Sequence, residues 1–189
     1  MRVPRFLWEI HGRETTATAL VMTYLAGILF AIAAYVLGKD LEPAWFRWLV
    51  AVMALDLGGG MVANMTRGTS TFYAGKPALS LTFLLLHLFY VVLFWLLFSP
   101  QLEGLWIGLA IVFTAIGIMH IRKAELKRTL AILAILILIL TLALLALPSL
   151  LATLLLVFGI KLILAFAGGP WYRGVDNSEL RIPNSEIEN

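Results

Sequence analysis

Residues 44–67, AWFRWLVAVMALDLGGGMVANMTR, decide the fold. The run is long and apolar enough to cross the hydrocarbon core of a bilayer, for which about 20 helical residues suffice. Its second half nevertheless carries an acid, three consecutive glycines and an amide. Asp56, Gly59, Gly60, Ala63, Asn64 and Arg67 follow one another at helical spacing, so on a helix they form one stripe. The stretch reads as a membrane helix with one small, polar face. Gly59 and Ala63 supply the small-xxx-small spacing of close membrane crossings.

Outward from this run the same punctuation recurs. Apolar segments bounded by charged, Gly or Pro residues predict spans at 17–38, 44–65, 79–99, 104–121, 129–147 and 149–168. Between the last two, only Pro148 and Ser149 offer a turn, so one broken helix is the alternative to two spans. Of the 189 residues, 61% are hydrophobic and 13% charged, against about 25% charged in soluble domains. The expectation is an all-α, polytopic integral membrane bundle of six transmembrane helices. Residues 1–16 form an interfacial segment, 17–168 the transmembrane domain and 169–189 a polar tail. Six spans with short loops leave no room for a soluble catalytic domain.

The basic residues predict orientation. With the N-terminus in the cytoplasm, Arg2, Arg5, Arg13, Arg67, Lys76, Arg122, Lys123, Lys127, Arg128, Arg173 and Arg181 fall inside. Lys39 and Arg47 fall outside, and Lys161 lies within a span. Such asymmetry is the positive-inside pattern, and an odd number of spans would spoil it. Both termini are therefore expected in the cytoplasm, and the location expected is the cytoplasmic (plasma) membrane, multi-pass.

The net charge of +3 does not point to nucleic acid, because the basic residues are scattered singly rather than gathered on a face. The run IRKAELKR at 121–128 reads as a topology determinant that would also attract acidic headgroups. The first 16 residues contain no apolar h-region, so no cleavable leader is expected there. Phe6 and Trp8 are expected at headgroup level beside Arg2, Arg5 and Arg13. Cysteine is absent, which removes disulfide and thiolate chemistry.

Depth arithmetic picks out a site. At about 1.5 Å rise per residue, Asp56, His87 and Lys161 lie roughly 11 to 13 Å from the inner ends of three different spans. An acid at such depth costs about 2.5 to 3.5 kcal/mol on insertion scales and should find a partner or a hydrated cavity. The common level predicts a chamber open to the cytoplasm and lined by Asp56, Gly60, Asn64, His87, Tyr90 and Lys161, with Thr23 as a further candidate. Each residue also has a plainer role. Lys161 can snorkel to the headgroups, His87 and Tyr90 can bond between helices, and Asp56 can form a structural ion pair with Lys161. The small residues of span 1 predict an internal position for it. The bulky aliphatic span 5 is expected to face lipid, with Thr141 bonded to its own preceding turn.

Family resemblances stop at specific residues. DLGGGMVANMTR resembles the start of the CDP-alcohol phosphatidyltransferase signature, yet the further aspartates of that two-metal site are missing. The intramembrane Asp and His are similar to those of the alkaline ceramidases, but spans 5 and 6 contain no histidine. The six-span layout with both ends inside is similar to the substrate-binding subunits of energy-coupling-factor vitamin transporters, with no motif to carry it. Three functions fit the residues: transport or permeation, a non-catalytic scaffold or partner subunit, and an intramembrane lipid-modifying enzyme. The expected partners are the lipid bilayer, a small polar or ionic solute and a membrane protein partner, without nucleic acid. No metal site is expected, and the residues name no cofactor.

Overall fold

The computed structural model describes residues 1–98 and 102–169. Among these the chain is helical apart from turns and one isolated bridge between Arg2 and Glu14. A short N-terminal helix α1, Trp8–His11, precedes α2, Ala17–Leu37, and α3, Trp45–Met65. A short α4, Arg67–Tyr73, leads into α5, Pro77–Leu86, and α6, Leu88–Leu97, which together make the third long segment. Then come α7, Leu102–Met119, α8, Ala124–Leu144, and α9, Ser149–Gly159, which continues as a π-helix over Ile160–Ala167. Six helices are long and apolar enough to cross a membrane, with mean hydropathy between 1.4 and 2.5. Pro148 separates two of them rather than kinking one: Leu145 and Pro148 are extended, and α9 starts at Ser149.

The last of the six is the axis of the bundle. In α9 and its π-helical continuation 61% of the residues are buried, and they pack against α3, α7 and α8. Leu151, Leu154, Leu155, Phe158 and Leu162 are wholly enclosed, together with Val50 and Leu57 of α3, Phe94 of α6 and Val112 of α7.

The internal position expected for span 1 is wrong. In α2 only 17% of residues are buried, and its one extensive neighbour is α3. Its small residues serve that single crossing. A Cβ on Gly27 would lie 2.8 Å from the carbonyl oxygen of Leu55, and one on Gly58 would lie 2.8 Å from the Cβ of Phe30. One on Gly59 would lie 3.2 Å from the carbonyl of Thr23. Backbone meets backbone there, as in other small-residue crossings. The polar stripe of α3 therefore does not face one neighbour: Gly58 and Gly59 face α2, whereas Gly60 faces Lys161.

In α8 only Ala131, Ile135 and Leu138 are buried, and Thr141 donates to the Ile137 carbonyl at 2.9 Å. Its helix begins five residues before the expected span, at Ala124, so Lys127 and Arg128 lie in its first turns rather than in a loop. The first 16 residues fold back on themselves, with the amide of Val3 donating to Arg13 and that of Thr15 to Met1. The indole of Trp8 donates to the Val3 carbonyl at 2.7 Å, between Arg5 and Arg13. The segment docks on α4, where the backbones of Gly12 and Gly68 touch and the Thr69 hydroxyl donates to Ile10 at 2.5 Å. The tail beyond residue 169 lies outside the described residues.

Candidate functional site

Two helix irregularities at one level frame the polar cluster. The third long segment breaks at His87 although no Gly or Pro is near. The imidazole itself supplies the cause. Its Nδ1 donates to the carbonyl of Phe83, four residues back, at 2.7 Å, while the His87 amide turns to Leu84, three residues back. A side chain has taken the acceptor that the helical ladder would use, which is a recognised origin of helix breaks. His120 does the same with Ile116 at 2.7 Å, and there α7 ends. Because a carbonyl only accepts, Nδ1 of His87 carries the proton. Nε2 is buried with no partner among the described residues.

The second irregularity is the π-helix that carries Lys161. Runs of π-helix are rare, and short ones recur at functional sites. The wider turn places the Lys161 stem over Gly60, where a Cβ would come within 2.6 Å of Cε. Across that gap the Lys161 ammonium donates to Oδ2 of Asp56 at 2.5 Å. The same oxygen accepts the Tyr90 hydroxyl at 2.6 Å. Asn64, two turns below Asp56, donates from Nδ2 to the Lys161 carbonyl at 3.4 Å. Tyr90 stacks on His87, with ring centroids 5.6 Å apart, and both rings lie near Phe158.

Asp56, Gly60, Asn64, Tyr90 and Lys161 are thus in direct contact, and His87 joins through its ring. Thr23 stands apart. It is buried at the crossing of α2 and α3, its hydroxyl without a partner among the described residues. The snorkelling alternative for Lys161 does not occur: its side chain is 3% exposed, against 47% for Asp56. The half-exposed carboxylate lies between α3 and α6, which the Tyr90 bond joins, while α3 packs chiefly on α2 and the last helix and α6 on α7. A separate cavity of about 330 Å³ beside α4 reaches Asn64 but not Asp56, His87 or Lys161.

A buried ammonium satisfied by a half-exposed carboxylate has definite chemistry. Both hydrogen bonds fall on Oδ2, so among the described residues Oδ1 keeps open lone pairs for a cation or a hydrogen-bond donor. Any cation that binds Asp56 competes with Lys161 for it. Among the described residues no group of three His, Cys, Asp or Glu side chains lies close enough to hold a metal. The break at His87 had no Gly or Pro signal in the sequence, whereas the π-helix around Lys161 runs between Gly159 and Gly168. Against family models, curated proteins and solved structures, the chain matches none.

Proposed function

We propose that the protein is a six-span membrane protein, with both termini in the cytoplasm, that moves a small ion or polar solute past Asp56. The observation that carries this reading is the pairing of Lys161 with Asp56 across 105 residues of chain, joined by the Tyr90 hydroxyl and set beside an otherwise apolar core. Burying two charges costs several kcal/mol each, and a hydrophobic pair of similar volume is often as stable or more so. Packing alone therefore gives little reason for the pair. In the proposed cycle a cation or proton binds Asp56, Lys161 is released toward Asn64 and the inner end, and recombination of the pair expels the cargo. The Nε2 lone pair of His87 is a proton acceptor beside that route.

The half-exposed position of Asp56 favours a second reading, a partner subunit whose own helix brings a donor to Oδ1. The two are separated by flux. Purified protein in liposomes is tested with H⁺, Na⁺ and K⁺ under an imposed potential, with an internal pH dye and tracer ions as readouts. Asp56-dependent flux of one of these supports movement. Protein-free rates for all three support the partner role.

A further inference from the structure

The cavity that reaches Asn64 is a second polar site, and its chemistry is opposite to that of Asp56. It lies among α4, the start of α5, the turn between α7 and α8, and the end of the π-helix. Lys76 and Lys127 line it, and no Asp or Glu among the described residues does. Lys127 makes only a long contact, 3.5 Å, to the Met119 carbonyl. The Lys76 ammonium rests 3.8 Å from the Phe72 ring centroid. Neither amine is neutralised by a carboxylate among the described residues.

Two hydroxyls also point to a ligand. Ser80 is 8% exposed and Tyr73 7%, both line the cavity, and neither hydroxyl has a partner among the described residues. Tyr73 is wedged between Phe83 and Phe166, with ring centroids 5.4 and 5.0 Å away, which fixes its direction. Burial and, second, the charge of Glu9 raise the proton affinity of this phenol, so it is held as a donor. Finally, α5 opens at the cavity with Pro77, and its N-cap Lys76 supplies no side-chain cap. Of that first turn, the residues that line the cavity are Pro77, which has no N–H, and Ser80, whose N–H donates to the Lys76 carbonyl, so side chains are left to hold a ligand.

We infer that this cavity binds a phosphate group, borne by a soluble phosphate ester or by a lipid headgroup, between Lys76 and Lys127 with Tyr73 and Ser80 as donors. Two ammonium groups and two hydroxyls lining one cavity provide donors for a ligand that has three or more acceptor oxygens. The inference does not rest on the proposed movement past Asp56, although Asn64 borders both sites.

The test uses the full chain in a nonionic detergent. Thermal unfolding and native mass spectrometry are followed against glycerol phosphate in one arm and dioctanoyl phosphatidate in the other, with sodium chloride matching ionic strength. Saturable stabilisation with one retained ligand is expected in at least one arm. The responding arm names the source. Lys76→Gln and Lys127→Gln are each expected to weaken apparent affinity about tenfold, as for a lost charged hydrogen bond. Ser80→Ala, which leaves charge and fold intact, should weaken it less, and Lys123→Gln, which does not line the cavity, should not. Stabilisation in neither arm beyond the chloride control, or affinity unchanged in both cavity lysine variants, overturns the inference.

Discussion

The Lys161 ammonium sits 2.5 Å from Oδ2 of Asp56, the amine enclosed and the carboxylate half exposed. The asymmetry fixes what each partner loses when the other is removed. With Asp56 changed to Asn, Lys161 keeps its burial and loses its counter-charge. Removing one member of a buried pair costs about 3 to 5 kcal/mol, whereas replacing both is often neutral. Asp56→Asn should therefore lower the unfolding temperature in detergent sharply, and Asp56→Leu combined with Lys161→Met should restore most of the loss. A double variant less stable than either single one would contradict the pairing.

The α2–α3 crossing depends on glycines that touch backbone rather than side chain. Gly27→Leu and Gly58→Leu must push the two helices apart, because carbonyl oxygens and a Cβ stand where the new atoms would go. Overpacking of this kind costs about 1 to 3 kcal/mol. Gly117→Leu, where a Cβ meets nothing within 4 Å, should cost little. Denaturation of the three variants in parallel decides between them.

His11 ties the N-terminal segment to the bundle. It is 2% exposed, its Nε2 lies 3.1 Å from the Tyr24 hydroxyl, and burial lowers its pKa. A free imidazole titrates near about 6.5. Below that pH the undocked segment binds more protons than the docked one, so docking is fully stable above it and weakens as pH falls. Spin labels at Phe6→Cys and Thr71→Cys should report a short, narrow distance at pH 7.5 that broadens toward pH 5. With His11→Gln the distribution should not change with pH. Equal broadening in that variant would remove His11 from the explanation.

Absence of native cysteine makes topology directly measurable. Single cysteines at Ser70 and Lys123 should react with an impermeant maleimide only from the cytoplasmic side. Asp40→Cys and Glu103→Cys should react only from the opposite side. Labelling of all four from one side would exclude six crossings.

Much of this architecture is legible in apolar run length, because a hydrocarbon-spanning helix needs a definite number of residues. The level shared by Asp56 and Lys161 is legible too, since rise per residue converts sequence into depth. The rest depends on interactions that leave no compositional mark. Nothing around His87 announces that its ring will take the Phe83 carbonyl and break a helix of leucines and aromatics. The π-helical winding that brings Lys161 over Gly60 arises in an aliphatic run like its neighbours. Periodicity put Gly59 and Gly60 on one stripe, but the stripe straddles two neighbours, so its residues part company in the packed bundle. The small residues of α2 suggested enclosure on all sides, whereas one tight crossing is enough to account for them.

The most direct test of Asp56 and Lys161 as a working pair uses the double variant Asp56→Leu with Lys161→Met, because its fold should persist. Reconstituted in liposomes beside the native chain, it is assayed for H⁺, Na⁺ and K⁺ flux under an imposed potential. The native protein is expected to conduct one of these ions and the double variant to fall to the protein-free rate while remaining folded. Undiminished flux through the double variant would contradict the account.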